Sequence, residues 1–333
     1  MRVLVLGAAG FLGSNLVRAL LDQGDEVRAL LRPGNQGSTL KGLPLERVSG
    51  DLRDAHSLVR ACDGIRIVYH TAGYYPTATI PVETAVHHAL TETRNVLTAA
   101  KQTGVQRVIF TSTLTTIGFP KESGTLATES CPFATRFSTN PYLMSKAAME
   151  NAMLEAAKNG MPIVVVNPTA CYGPYDSKPT SGAQIVMIAK RLMPAYVQAP
   201  VNAIDVRDVA DGMIRAATRG RIGERYILGH WNTTQKELGE TMARVVGVAA
   251  PKIPVPFELA RYGSKLGDWM FRTVLRRPAP VPGFFMEVLR HMQHYDCSKA
   301  IRELDYSRHP VENAIRDAVT WFRSNGYVDA GAG

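Results

Sequence analysis

The stretch that most constrains the fold is the opening Met1–Ser14, where the apolar run Val3-Leu-Val-Leu6 leads directly into Gly7-Ala-Ala-Gly10-Phe-Leu-Gly13. A run with no polar face suits a parallel strand covered on both sides, and from Asn15 to Leu21 the apolar spacing becomes helical. A strand, a tight turn and a helix are therefore expected in immediate succession. Gly7 permits the turn, Gly10 leaves room for a pyrophosphate against the backbone, and Gly13 lets the helix sit close to the strand. The helix start then presents free N–H groups and a positive dipole end to phosphate oxygens. A glycine triplet alone is weak evidence. Here a strand precedes it, a helix follows, and a second strand, Glu26 to Arg32, comes at the spacing of a dinucleotide-binding unit.

The rhythm repeats. Leu45 to Gly50, Ile65 to Ala72, Arg107 to Ser112 and Pro162 to Pro168 read as strands, separated by helical stretches near 54–62, 82–103 and 140–158. Alternation of this kind predicts an α/β fold with a doubly wound parallel sheet, a Rossmann domain over residues 1–168. Beyond Pro168 the pattern loosens into a loop from Tyr172 to Thr180, a helix near 183–192 and a strand at Arg225 to Gly229. Residues 169–330 are expected to form a smaller C-terminal substrate lobe, from which a strand near 200–210 and the helix after it could return to the first part. The tail Asp329–Gly333 is expected to be frayed.

At 333 residues with 45% hydrophobic side chains, the chain is long enough for this arrangement. Its net charge of +9 is spread in ones and twos, so nucleic acid is not expected as a partner, and an anionic cofactor or membrane surface accounts for the balance. Cys62, Cys131, Cys171 and Cys297 are far apart, which argues against a metal site and for a reducing compartment. With no basic leader and no apolar run near 18 residues, neither a signal peptide nor a membrane span is expected. The expected location is cytoplasmic, with membrane association left open.

Tyr142 and Lys146 stand four residues apart ahead of the helical stretch Ala147 to Lys158, and so share one face. A cation beside a phenol favours the phenolate and draws its pKa toward the range of a working acid or base. The pair arises often by chance, but this one lies downstream of a strand ending in Phe110-Thr-Ser-Thr113, whose hydroxyls would emerge at the carboxyl edge where such sheets bind ligands. At the end of the second strand Leu31 and Arg32 stand where NAD enzymes place a carboxylate for the ribose hydroxyl, so NADP is favoured, with NAD as the alternative. Asp51 is read as meeting the adenine edge or as capping the helix that starts near Asp54.

Several features are read more plainly. His87 and His88 point apart on a helix, which argues against a metal site there, and His291 and His294 lack a third ligand at matching spacing and are read as surface residues, so no metal is expected. From Phe257 to Arg277 the residues Leu259, Tyr262, Leu266, Trp269, Met270 and Val274 recur at helical spacing opposite Arg261, Lys265, Arg272 and Arg276. A core-facing helix is favoured there over one lying on lipid.

In order along the chain, Gly7-x-x-Gly10-x-x-Gly13, Asp51-Leu52, Thr111-Ser-Thr113, Tyr142-x-x-x-Lys146 and Asn167-Pro168 resemble the extended short-chain dehydrogenase/reductases over nearly the whole length. The similarity is to the branch holding dihydroflavonol-reductase-like enzymes, 3β-hydroxysteroid dehydrogenases and hopanoid-associated epimerase-like proteins. The resemblance implies that Tyr142 is the catalytic acid/base, that Lys146 lowers its pKa and holds the nicotinamide ribose, and that Thr113 takes the hydroxyl position that is usually Ser. It also implies cofactor contacts from Gly7, Gly10, Phe11, Leu12, Gly13, Arg32, Asp51, Leu52, Thr71, Ala72, Gly73, Tyr142, Lys146, Asn167 and Pro168. The chain departs from the pattern at several positions, and Leu6 replaces the Thr common before the first glycine. Ala89 replaces a common Asn, Leu114 and Thr115 stand where sugar dehydratases carry an acidic pair, and Gln198 to Ile204 lacks the Arg that epimerases use on a diphosphate.

The leading expectation is thus an NADP-dependent oxidoreductase interconverting a ketone and a secondary alcohol on a small lipophilic substrate. Tyr142 would protonate the developing alkoxide and Thr113 would hydrogen-bond it. Tyr172, Tyr175, Ile185, Val186, Ile188 and Leu192 are expected to line the apolar pocket. A nucleotide-sugar epimerase is the first alternative, and a non-catalytic NADP-binding sensor the second. A homodimer is left open.

Overall fold

Strand β1 (Arg2–Leu6) shows how the sequence builds the core. Val3 and Val5 belong to the buried cluster holding Leu16 and Val17 of α1 (Phe11–Asp22), whereas Leu4 and Leu6 belong to the opposite one, with Val96, Phe110 and Met149. Successive strand residues point to opposite faces, so an uninterrupted apolar run can be buried only between two helical layers. The structure, a computed structural model, describes residues 1–73, 80–122, 124–133, 140–273 and 284–329, with only some of the side chains between 265 and 287.

The alternation expected from the sequence continues through β2 (Glu26–Leu31), β3 (Glu46–Ser49), α2 (Ala55–Cys62), β4 (Ile67–His70), α3 (Val82–Gln102), β5 (Arg107–Thr111), α4 (Pro141–Lys158) and β6 (Ile163–Pro168). After it come β7 (Ala170–Tyr172), α5 (Gly182–Ala189), β8 (Ala195–Val197), β9 (Pro200–Asp205), α6 (Val206–Arg219) and β10 (Arg225–Leu228). The chain closes with β11 (Trp231–Thr234), α7 (Gln235–Val246), β12 (Ile253–Val255), α8 (Phe257–Thr273), α9 (Phe284–Arg290), α10 (Ser298–Leu304) and α11 (Val311–Ser324). Among the described residues, seven parallel strands form one sheet in the order β10-β6-β5-β4-β1-β2-β3.

Three elements beyond Pro168 lie with this sheet, α10 among them through Ala300 and Leu304. The strand Arg225–Gly229, expected in the smaller lobe, is β10 and pairs in parallel with β6, Arg225 opposite Val165 through Leu228 opposite Pro168. Tyr226, Ile227 and Leu228 are apolar in succession and fully buried, which again demands cover on both faces. Helix α6 also returns, its Val209, Ala210 and Met213 joining the α1 cluster. Strand β9 does not return with it. It pairs antiparallel with β11 and parallel with β7 in a separate small sheet. That sheet packs on α5, α7 and α11 around Ile185, Leu238, Met242, Ile315 and Phe322, and α7 starts with a reciprocal Thr234/Glu237 cap.

The structure corrects three side-chain expectations. Ile185 and Ile188 are buried in the lobe's own core, Tyr172 is buried with its hydroxyl donating to Gln184 Oε1 at 3.4 Å, and Leu192 is exposed, so these four do not line an open pocket, while Tyr175 and Val186 are half-buried. His291 is buried against Phe119, and His294 lies 2.8 Å from the Thr233 carbonyl, because the segment after α9 threads beneath the 114–131 region instead of continuing a surface helix. In α8, Leu259, Tyr262 and Trp269 are exposed, not core-facing, since α5, α7 and α11 already fill the lobe's interior. Val274 and Arg276 and the residues after Asp329 lie outside the described residues, as do the side chains of Lys265, Leu266, Met270 and Arg272. No described helix is long and apolar enough to cross a membrane.

Candidate active site

The strand order reverses between β1 and β4, and ligands of open parallel sheets bind at the carboxyl ends beside such a reversal. Gly7 adopts φ +84°, and a Cβ there would lie 2.6 Å from the Ala72 backbone nitrogen. The turn after β1 and the Thr71-Ala72-Gly73 segment after β4 are therefore pressed together, and Thr71 Oγ1 donates to the Leu6 carbonyl at 2.8 Å. A Cβ on Gly13 would sit 2.1 Å from the Gly7 carbonyl oxygen, so α1 can approach this closely only without a side chain. Gly10 is exposed, and a Cβ there would meet nothing but the Gly7 oxygen, at 3.2 Å. Helix α1 begins at Gly10 with no side-chain cap and no acid in its first turn, leaving the N–H groups around Phe11 and Leu12 without side-chain partners. An uncapped helix start beside open backbone fits the pyrophosphate of a dinucleotide.

Arg32 is exposed directly after β2. The Asp51 carboxylate accepts from Arg53 Nε at 3.0 Å and Nη2 at 2.8 Å, and the arginine holds its pKa down to about 2. Asp54, not Asp51, caps α2, accepting from the His56 and Ser57 N–H groups. Leu52 is buried and its carbonyl accepts from Asn95 Nδ2 at 2.9 Å. Two charges here went unnoticed in the sequence: Arg53, and Glu92 on α3, whose burial raises its pKa against the pull of Arg32. Ala89 is buried one turn before Glu92.

On the chemical side, Thr113 follows β5 and its Oγ1 accepts from the Thr115 N–H and hydroxyl, both at 3.4 Å. Tyr142 is half-buried in the first turn of α4, which Asn140 caps and Pro141 opens. Lys146, one turn on, is 3% exposed. Burial draws its pKa to about 8, while the Glu150 and Glu92 carboxylates oppose that shift. His70, at the end of β4, is buried and kept neutral, its pKa pushed to about 3 by burial and by the charge of Lys146.

Glu150 is a third site residue that the sequence reading missed. Its Oε2 accepts from Thr116 Oγ1 at 2.6 Å and Asn167 Nδ2 at 2.7 Å, and its Oε1 from Arg225 Nη1 at 2.8 Å. Asn167 also donates to the Thr113 carbonyl at 3.2 Å, which ties the Thr113 loop, α4, β6 and β10 into one buried network. Its Oδ1 has no partner among the described residues, an orphaned acceptor beside Thr113 that suits a ligand donor. Pro168 ends β6 next to it. Spacing offered the signal for Glu150: Tyr142, Lys146 and Glu150 follow one another at four-residue steps on α4.

A glycine-turn nucleotide edge continuous with a Tyr/Lys helix and a hydroxyl-bearing strand end defines an NAD(P)-dependent oxidoreductase of the extended short-chain dehydrogenase/reductase type. Residues 3–229 match the NAD-dependent epimerase/dehydratase family, to which the chain belongs. Its relatives include a Synechocystis sp. protein described provisionally as a dihydroflavonol 4-reductase, 37% identical over 97% of this chain and 95% of that one. Sterol demethylase protein B of Methylococcus capsulatus is 31% identical over 98% of this chain and all (100%) of its own. Among solved structures, the nucleoside-diphosphate-sugar epimerase PA4631 of Pseudomonas aeruginosa superposes with a TM-score of 0.83 at 28% identity, covering 99% of both chains.

Proposed function

We propose that this chain is an NADP-dependent reductase that interconverts a ketone and a secondary alcohol on a lipophilic substrate, which residues 169–330 apart from α6 and β10 help to hold. The observation that carries the reading is a half-buried phenol on α4, one turn ahead of a buried lysine, at the same sheet edge as the uncapped start of α1. When bound, the dinucleotide supplies or accepts the hydride. Gly7, Gly10, Phe11, Leu12 and Gly13 would hold its pyrophosphate, Arg32 a 2′-phosphate, and Lys146 and the orphaned Asn167 amide oxygen the nicotinamide half. Tyr142 Oη delivers the proton to the carbonyl oxygen, and the Thr113 hydroxyl, whose oxygen already accepts from Thr115, turns its hydrogen to the same oxygen. The Lys146 ammonium favours ionisation of the phenol.

Cofactor choice is supported by Leu31 and Arg32, which put a cation and no carboxylate after β2. The lipophilic substrate class is supported by the flavonol- and sterol-named relatives and by β9, whose buried residues from Val201 to Asp205 include no cation for a diphosphate. The likeness to the sugar epimerase favours a second reading, in which the same residues oxidise and re-reduce a nucleotide-sugar. A paired assay separates them: NADPH consumption on a panel of polycyclic and long-chain ketones, and isomer analysis on UDP- and GDP-sugars. Ketone turnover is expected. Isomerisation of a nucleotide-sugar with no ketone activity would replace the reductase by the epimerase.

A further inference from the structure

We propose that α8 is a membrane-surface helix whose apolar stripe rests on an anionic phospholipid bilayer. Leu259, Tyr262 and Trp269 are 65%, 62% and 60% exposed. At helical spacing Tyr262 and Trp269 fall about 60° and about 80° from Leu259 in the same direction, so the three form one narrow stripe along the axis. Ile253 in β12, four residues ahead of the helix, is exposed as well. Large apolar side chains grouped on a surface mark a contact with something, and Tyr and Trp are the residues whose amphipathic rings suit the headgroup boundary.

Charge selects the occupant. Between residues 252 and 277 the sequence carries six lysines and arginines against two acids, Glu258 and Asp268, within a chain of net charge +9. Glu258 is already paired with Arg261 at 2.7 Å. Exposed Lys252 precedes the helix, and the exposed Arg290 guanidinium lies 6.0 Å from the ring centroid of Phe257 at its first turn. A second copy of this chain would bring the same excess of cations to the contact. An anionic bilayer neutralises it, and a helix with an apolar stripe and cationic flanks lies in the plane of such a surface without crossing it. The contact does not depend on which substrate the site takes.

The test uses the purified full chain with vesicles of phosphatidylcholine alone or mixed equally with phosphatidylglycerol. Co-sedimentation is expected with the anionic vesicles only, falling with added salt and dropping about tenfold or more in Leu259→Ser/Tyr262→Ser/Trp269→Ser. Circular dichroism and a thermal melt check that this variant folds. Independently of it, wild-type tryptophan emission should shift to the blue on anionic vesicles, and Trp269→Phe should remove the shift while still binding. The proposal is overturned if the wild type does not bind, if the triple variant binds as well as the wild type, or if sedimentation shows a dimer that the triple variant dissociates.

Discussion

The Asn167 amide donates to the Glu150 carboxylate at 2.7 Å, and the other oxygen of that carboxylate holds Arg225 at 2.8 Å, with the two ion-paired side chains only 3% and 16% exposed. Removing one member of a buried, hydrogen-bonded ion pair strands the other, at a cost of about 3–5 kcal/mol. Glu150→Ala and Arg225→Ala should each destabilise the protein by roughly that amount, and the double variant by less than the sum. Urea denaturation followed by circular dichroism measures all three. Additive losses would mean that the two residues act separately.

Tyr142→Phe should keep dinucleotide affinity while lowering turnover about 10²- to 10⁴-fold, because only the proton donor is lost. Thr113→Ser should retain activity, whereas Thr113→Val, similar in volume without the hydroxyl, should lose most of it. Steady-state rates and nucleotide titration on the same preparations decide both. A phenylalanine variant with near-normal turnover would remove Tyr142 from its assigned role.

The pH profile should report Lys146. Its pKa, drawn to about 8 by burial, places the loss of its charge at mildly alkaline pH, so activity should fall as pH rises through that value. Glu92 is one of the carboxylates that oppose the shift. Glu92→Gln removes a negative neighbour, favours the neutral amine, and should move the alkaline limb to lower pH. An unmoved limb would exclude Lys146 as its origin.

NADPH should bind more tightly than NADH, and Arg32→Ala should narrow the gap, since a guanidinium facing a phosphate makes a charge-assisted contact that a hydroxyl does not offer. Arg53→Ala is a useful partner, because it leaves the Asp51 carboxylate unpaired near Arg32. Fluorescence titration with both nucleotides measures the preference. A wild type that prefers NADH would refute the assignment of Arg32.

Asp176 gives a prediction for stability against pH. It is buried beside Thr180 and Gly182, and desolvation raises its pKa from 3.8 to about 6. A group with a raised folded pKa contributes stability that is present below its unfolded pKa and lost as pH rises through the folded one, here between about pH 4 and 6. Asp176→Asn keeps an acceptor for the Thr180 and Gly182 N–H groups and carries no charge. Above pH 6 it should melt higher than the wild type, and the gap should close toward pH 4. Thermal melts across that range test it.

The glycine turn, the strand-helix rhythm and the Tyr142/Lys146 helix were legible in the sequence, because each rests on local sterics or on a short period. The placement of β10 was not. A strand apolar on both faces reads the same whichever sheet it joins, and only the pairing of Tyr226 opposite Val166 decides. Nor was the outward stripe of α8 legible, since spacing defines a helical face without saying what covers it. Glu150, Glu92 and Arg53 look like ordinary solvated charges until the fold brings Asn167, Lys146 and Asp51 beside them.

The return of α6 and β10 to the N-terminal half bears on how such a chain can be recombined. Asn15 Nδ2 donates to the Pro174 carbonyl at 3.0 Å, and the Arg18 guanidinium stacks 3.6 Å from the Tyr175 ring, so the loop after β7 is fastened to the helix that starts the nucleotide site. A chimaera that joined its first 168 residues to a foreign C-terminal half would leave Asn15 and Arg18 without those partners. It would also lose β10, one of the two edge strands of the large sheet, and α6, which packs on α1. Exchange of substrate preference between relatives therefore has to follow the spatial seam, carrying 173–176 and 206–228 along with the N-terminal half.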